Sequence, residues 1–111
     1  MDMKTFSLAD FEASAGKAAD LLCTLGNEKR LLILCQLGPG ELQAGALQAP
    51  LGLSQSALSQ HLAVLREAGV VATRRDSQTI WYRIADPDAV KVIETLVAIF
   101  CPDKTQRKKR R

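Results

Sequence analysis

The chain has 111 residues, a length that suits one modest domain and is too short for two. Hydrophobic residues make up 47% of it, a share typical of a packed globular protein and too high for a disordered one. Five aromatic residues are too few for the stacking platform of a single-stranded nucleic-acid binder. The longest apolar run, 31–35, is far shorter than a membrane span and no signal peptide is recognisable, so we expect a cytoplasmic protein with no membrane partner.

The net charge of +3 divides unevenly along the chain. Residues 104–111 carry six basic side chains and no acidic one, whereas residues 1–103 carry 9 Lys and Arg against 12 Asp and Glu. A run of like charges is usually disordered and often touches nucleic acid nonspecifically, or it is only a solvated end. We therefore predict a single folded domain over 1–103 and a disordered basic tail over 104–111, with contact between the tail and DNA left open.

Helical patterns dominate the first part of the chain. Ser7 and Asp10 form a capping pattern that predicts the start of a first helix. The apolar residues that follow recur at steps of three and four, and they are Leu8, Phe11, Ala15, Ala18, Leu22 and Leu25. So narrow a seam is typical of a helix that packs against another helix, including one from a second subunit.

A second helix is predicted from Glu28 to about Leu37, capped by Asn27 and ended by Gly-Pro-Gly at 38–40. Its residues 31–35 are apolar all round, so we expect this helix to be the buried centre of the domain. A short third helix is predicted over about 44–49. We expect Pro50 to end it, because proline disfavours helical geometry at the preceding residue.

The segment LSQSALSQHLAVLREAG at 53–69 is the most informative part of the chain. Ser54 is a cap residue, and Leu58, Leu62 and Leu65 recur at helical spacing. Two helices joined by a short turn that contains Gly52 predict a helix-turn-helix.

The polar face of this fourth helix carries short hydrogen-bonding side chains where a solubilising surface helix carries Glu and Lys. Ser and Gln bond to base edges, and the first-turn amides hold a phosphate, so the helix suits the DNA major groove. The residues expected to face the groove are Ser54, Gln55, Ser56, Ser59, Gln60 and His61. An ordinary amphipathic helix has the same period, Ser54 is equally a plain helix cap, and His61 equally a packing residue.

After residue 69 the apolar period changes from about 3.6 to 2, which predicts strands at 70–75 and 79–84 around a polar turn. The candidate ligands for phosphates or the minor groove on this hairpin are Arg74, Arg75 and Gln78. Arg75 alternatively pairs with Asp76 or Glu67. Trp81 and Tyr82 alternate faces, so one of them is expected in the core.

Asp86 and Pro87 predict the start of a last helix, which ends before Pro102. One face of this helix carries Val90, Ile93, Val97, Phe100 and Cys101. With one His and no Cys beside it, the chain has no set of nucleophile, base and orienting group, so we expect neither an enzyme nor a cofactor.

Four motifs, at 27–34, 53–62, 64–71 and 82–84, resemble the ArsR/SmtB family of winged-helix repressors. The resemblance covers roughly residues 14–102. It implies a mainly α fold with a small β-hairpin wing, a winged helix-turn-helix ordered helix, helix, helix, helix, strand, strand, helix. It further implies a homodimer formed through the first and last helices, which binds double-stranded DNA at a two-fold symmetric operator.

Many members of this family sense metals. Here the stretch from Glu41 to Leu47, which corresponds to the family's thiolate motif, contains no cysteine, and the last helix contains no histidine. A tight zinc site needs several converging N, S or O ligands, whereas the whole chain holds one His and three Cys. We therefore expect no metal.

Cys35, near the end of the second helix, and Cys101, just before Pro102, resemble the pair of the SqrR/BigR/HlyU branch, whose members sense persulfides and related reactive sulfur species. The resemblance implies that the two thiols become bridged, by a disulfide or through added sulfur atoms, and that the bridged dimer releases DNA. One alternative is a repressor that senses peroxide or disulfide stress with the same thiols. Another is a winged-helix protein-interaction module with inert cysteines. Cys23 has no place in the pair and is assigned to packing.

Overall fold

The computed structural model describes residues 6–101. In chain order the elements are α1 (Leu8–Leu25), α2 (Glu28–Leu37), α3 (Ala44–Leu51), α4 (Gln55–Glu67), β1 (Val71–Asp76), β2 (Thr79–Ile84) and α5 (Pro87–Phe100). This order confirms the predicted winged helix-turn-helix. The expected basic tail at 104–111 lies outside the described residues. None of the described helices is long and apolar enough to cross a membrane.

Side-chain caps explain where four of the five helices begin. An extended residue precedes each of these helices, and its side-chain oxygen accepts a hydrogen bond from a backbone N–H of the first turn. The pairs are Ser7 with Asp10 at 3.3 Å, Asn27 with Arg30 at 3.1 Å, Ser54 with Ala57 at 3.1 Å and Asp86 with Asp88 at 2.9 Å. All four caps are confirmed as predicted, because the signal is local in sequence.

The third helix runs further than predicted, to Leu51, so Pro50 lies inside it. The prediction that Pro50 ends this helix is wrong, since proline disfavours helical geometry at Ala49 without forbidding it. The last turn is secured from its C-terminal side. Gly52 adopts a left-handed φ of +63°, and the N–H groups of Gly52 and Leu53 donate to carbonyls within the helix.

The second helix is the centre of the fold. It contacts all four other helices and also β2 of the wing. Ile33, Leu34 and Leu37 on it are almost completely buried. Burial is not all round, however, and that part of the prediction is wrong. Leu32 and Cys35 lie on a stripe that no described element covers, because an apolar run does not specify which face its neighbours approach.

The core forms where α4 packs on α2, on α3 and on the base of the wing. Leu58, Leu62 and Leu65 supply its α4 face, and each is at most 3% exposed. A fully buried side chain of this size contributes about 1.5–3 kcal/mol relative to an exposed one. This burial fixes the rotation of α4 about its axis and turns its polar face outward.

The wing is an antiparallel hairpin in which Val71 lies opposite Ile84 and Asp76 lies opposite Thr79. It begins one residue later than predicted, because the N–H of Val70 bonds to the carbonyl of Leu65 at the end of α4. The strands are joined by the two residues 77–78, the first of which is a serine with φ +59°. A two-residue connection of this kind closes a tight hairpin.

The first and last helices carry large apolar side chains that the protomer leaves exposed. On α1, Leu8, Leu22 and Phe11 are 63%, 61% and 51% exposed. On α5, Ile99 and Phe100 are 55% and 74% exposed. These are the two helices for which a homodimer interface is expected, and apolar area of this kind is typical of surfaces that bind a partner.

Candidate nucleic-acid interface and thiol pair

The fourth helix presents a polar face to solvent, directly after the turn that follows α3. Ser54, Gln55, Ser56, Ser59 and Gln60 are all exposed, and only His61 of the predicted groove-facing set is half-buried. The hydroxyl oxygen of Ser54 accepts the N–H of Ala57 and so acts as a cap, while its O–H remains a donor. The structure therefore brings the predicted set together on one accessible surface, with His61 at its edge.

On the wing, Arg74 is held by other side chains. Its Nε lies 2.8 and 2.9 Å from the two carboxylate oxygens of Glu41, and its Nη2 lies 2.8 Å from Oε1. The guanidinium also lies 5.5 Å from the centroid of the Trp81 ring. Hydrogen bonding from Arg74 keeps the pKa of the Glu41 carboxyl below its usual range. Arg74 is thus already engaged, whatever else it binds.

The other two wing candidates project freely. Arg75 and Gln78 are exposed at the outer part of the hairpin. Neither Asp76 nor Glu67 forms an ion pair with Arg75 in the part of the chain that the structure describes. Arg75 and Gln78 are therefore the wing residues best placed to reach a phosphate backbone.

Trp81 and Tyr82 divide between the two faces of the wing, as predicted. Tyr82 packs against the core, and its backbone pairs with Leu42 through hydrogen bonds of 2.8 and 3.1 Å. Trp81 lies beneath Arg74 on the other face. Within the described residues its buried Nε1–H has no hydrogen-bond partner.

Two functional candidates escaped the sequence reasoning. Glu41 is one, because its partner Arg74 is 33 residues away and no local pattern joins them. Arg66 is the other: it lines a cleft of about 440 Å³ between α4 and β2 together with Ser59 and Tyr82. Two helical turns separate Ser59 from Arg66, so the polar period of α4 could have extended the groove-facing set to it.

The thiols of Cys35 and Cys101 belong to two helices in contact. Cys35 lies in the last turn of α2, and Cys101 caps the end of α5 with its N–H bonded to the carbonyl of Val97 at 2.7 Å. Both side chains are exposed and unbridged. Burial raises the pKa of the Cys35 thiol, and the charge of Cys101 raises it further.

Cys35 opens into a cleft of about 840 Å³ between α2, α5 and the base of the wing. The apolar residues of its wall include Leu34, Ile84, Val90, Ile93 and Val97. Charged side chains also line it, and these are Glu41, Arg83 and Glu94. A small reactive molecule can therefore reach Cys35 without unfolding the protomer.

Cys23 stands apart from this pair. It is exposed on α1 of the protomer, near the seam for which a second subunit is expected, so its assignment to packing stays a prediction. Among the described residues, no group of three His, Cys, Asp or Glu side chains is placed to hold a metal ion.

Comparison with known proteins gives consistent matches. Residues 27–73 match the arsR family of bacterial regulatory proteins. The biofilm growth-associated repressor of Agrobacterium fabrum is 46% identical over 101 residues, which cover 91% of this chain and 86% of the relative. The transcriptional activator HlyU of Vibrio cholerae is 45% identical over 95 residues, covering 86% and 88%. The crystal structure of the transcriptional repressor BigR from Xylella fastidiosa superposes with a TM-score of 0.81 at 40% identity, over 88% of this chain and all of that one.

Proposed function

Because the chain belongs to the arsR family of bacterial regulatory proteins, we propose that it is a repressor whose affinity for operator DNA is set by Cys35 and Cys101. It is a DNA-binding transcriptional regulator of the BigR and HlyU type and not an enzyme. Repression is proposed because the relatives named repressors include one 46% identical over 91% of this chain. Binding to the chromosome would place the protein in the cytoplasm.

The proposed DNA complex has one α4 of each protomer in a major groove. Ser59 and Gln60 would meet base edges, since Gln bonds adenine in a bidentate manner, while Arg75 and Gln78 of the wing would contact the backbone. The exposed apolar faces of α1 and α5 support a homodimer. Two-fold symmetry would then require two half-sites about 34–36 Å apart.

The proposal of thiol sensing depends on one observation, the contact between α2, whose last turn carries Cys35, and α5, at whose end Cys101 lies. A cytosolic disulfide is usually transient and redox-sensing instead of structural. A covalent link between these helices would change the angle at which the dimer helix α5 leaves the core. The separation of the two α4 helices would change with it, and so would the fit to both grooves.

The bridging chemistry balances with a persulfide of a small thiol, RSSH. The Cys35 thiolate attacks the outer sulfur, which forms Cys35–S–SH and releases RSH. The Cys101 thiolate then attacks the Cys35 sulfur, and HS⁻ leaves and takes up a proton to become H₂S. The two protein thiols lose two electrons and the outer sulfur of the persulfide gains them. If a second RSSH first converts Cys101 to a persulfide, the two persulfides condense to a three-sulfur bridge with release of H₂S.

DNA binding is tested by titrating the reduced protein onto a palindromic fragment at several salt concentrations. We expect affinity to fall steeply as salt rises, because phosphate contacts release counterions. Replacing Arg75 by Ala should lower the slope by about one. Weak binding with no salt dependence would support instead a protein-interaction module and would contradict the DNA proposal.

Sensing is tested with Cys35→Ser and Cys101→Ser, with Cys23→Ser as the matched control that removes an exposed thiol outside the pair. Treatment with glutathione persulfide should release DNA from the wild type and from the control and leave both other variants bound. Release from all three variants would exclude the pair. A parallel treatment with hydrogen peroxide distinguishes the two inducer classes, and mass spectrometry shows whether the bridge carries added sulfur.

A further inference from the structure

Two neighbouring residues, Glu41 and Leu42, form hydrogen bonds to the wing. The backbone of Leu42 bonds to that of Tyr82 on β2 in both directions. One residue earlier, the carboxylate of Glu41 makes its bidentate pair with Arg74 on β1. One short segment before α3 therefore holds both strands of the wing.

This same segment forms a wall of the thiol cleft. It follows α2, whose last turn carries Cys35, after only Gly38, Pro39 and Gly40. All of these residues line the cleft, and so does Glu41. Gly38 has a left-handed φ of +51°, and its N–H donates to the carbonyl of Leu34, so the connection leaves the helix in a defined direction. A displacement of the end of α2 would therefore reach Glu41 through a link of only three residues.

We propose that Glu41 and Arg74 are positioning residues that transmit the bridging of Cys35 and Cys101 to the wing. This inference rests on the proposed function. Bridging joins the end of α5 to the last turn of α2 and moves the cleft wall that carries Glu41. A bidentate pair fixes direction as well as distance, so Arg74 and with it β1 follow that movement. Arg75 and Gln78, the outer residues of the wing, then no longer contact the DNA backbone.

An ordinary surface ion pair would give a different pattern. Arg74 is half exposed, and such a pair commonly contributes little to stability. If it did nothing more, removing it would change the melting temperature slightly and leave the response to thiol bridging intact. Trp81 offers a direct readout, since it is the chain's single tryptophan and lies 5.5 Å from the Arg74 guanidinium. Its fluorescence therefore reports movement of Arg74 without DNA.

The experiment compares wild type, Glu41→Gln, Arg74→Gln, the double variant and Arg74→Lys, each reduced and after bridging with glutathione persulfide. Asp88→Asn is the matched control, because it removes a carboxylate from an exposed ion pair elsewhere in the chain. Two quantities are measured in each: the Trp81 emission of free protein, and the ratio of the DNA dissociation constants after and before bridging. Taking a ratio within each variant removes any effect on binding by the reduced form.

We expect bridging to change the Trp81 emission of the wild type and of Asp88→Asn, and to raise their dissociation constants. In Glu41→Gln and Arg74→Gln the ratio should fall by roughly three- to tenfold, within the range that coupled networks show. The double variant should fall no further than either single variant. Arg74→Lys should resemble Arg74→Gln, because lysine keeps the charge and loses the bidentate geometry.

A ratio and an emission change in Glu41→Gln equal to those of the wild type would overturn the coupling and leave the proposed function intact. A wild type that loses DNA with no change in Trp81 emission would do the same. If bridged wild type keeps its full DNA affinity, the proposed function fails, and the coupling that rests on it fails as well.

Discussion

The reactivity of Cys35 depends on its surroundings, because only the thiolate attacks sulfur. Burial, and secondly the charge of Cys101, raise the pKa of this thiol above its ordinary value of 9.0. At neutral pH the group is therefore mainly protonated. We expect the rate of Cys35 alkylation in Cys23→Ser protein to rise about tenfold per pH unit and to level off only above the ordinary pKa.

The same shift has a consequence for stability. Cys35 ionises at its ordinary pKa in the unfolded chain and at a higher pKa in the folded chain. Its contribution to stability is therefore complete below the ordinary pKa and is lost as pH rises through the folded pKa. In Cys101→Ser the second cause of the shift is gone, and the alkylation midpoint should move down towards the ordinary value. A midpoint that stays unchanged in this variant would mean that the two thiols do not interact.

Gln60 should act through bases and not through phosphates. Replacing it by Ala should cost about 1–3 kcal/mol of operator binding and relax the preference at one base pair, with the salt dependence unchanged. Gln36→Ala is the matched control, since Gln36 is also exposed and lies on α2. If Gln60→Ala keeps the wild-type preference at every base pair of the operator, this side chain lies outside the readout.

For single side chains, the contacts that could not be predicted are those between residues far apart in the sequence. The exposed residues of α4 follow from helical period alone, and five of the six predicted ones are accessible. The pair of Glu41 and Arg74 joins positions 33 residues apart. Its formation depends on where the wing packs, so no local pattern in the sequence contains it, and Arg74 looked as free as Arg75.

The start of α4 allows the two roles of Ser54 to be separated. Ser54→Ala removes the cap and should cost about 1 kcal/mol of folding stability. Ser54→Asp keeps a good capping group, so its melting temperature should stay close to that of the wild type, but it places a negative charge beside the expected phosphate. Weaker DNA binding by Ser54→Asp at unchanged stability would show the phosphate contact. Unchanged binding would leave Ser54 as a cap only, and Ser7→Asp controls for added charge.

Four of the five helix starts were predictable in this chain, because each of these four is encoded by a capping residue next to it. Helix ends and faces were less so. Pro50 lies inside α3 because Gly52 and the buried Leu51 hold the last turn, and the strength of that arrangement depends on the core. Cys35 is exposed although it lies in the most apolar segment, since burial depends on which elements arrive beside α2.

For the whole molecule, the order of helices and wing followed from the resemblance and from period changes along the chain, and the structure confirms it. The protomer by itself leaves its largest apolar surfaces open at α1 and α5. These surfaces support the proposed homodimer. It is also what would turn a change at Cys35 and Cys101 into a change in the distance between two α4 helices.

The dimer is best tested at Leu22, which is 61% exposed on α1 and lies on the predicted seam. Leu22→Glu should leave the protomer folded, because most of this side chain lies outside the core of its own protomer. It should raise the dimer dissociation constant by at least roughly tenfold, since burying a leucine is worth about 1.5–3 kcal/mol and the symmetric interface loses two. Val64→Glu is the matched control, an exposed apolar residue of α4 outside the proposed interface. Dimerisation of both variants is measured by sedimentation. A Leu22→Glu protein that dimerises as tightly as Val64→Glu would place the interface on another surface. It would also contradict the proposed route by which the thiol bridge changes the separation of the α4 helices.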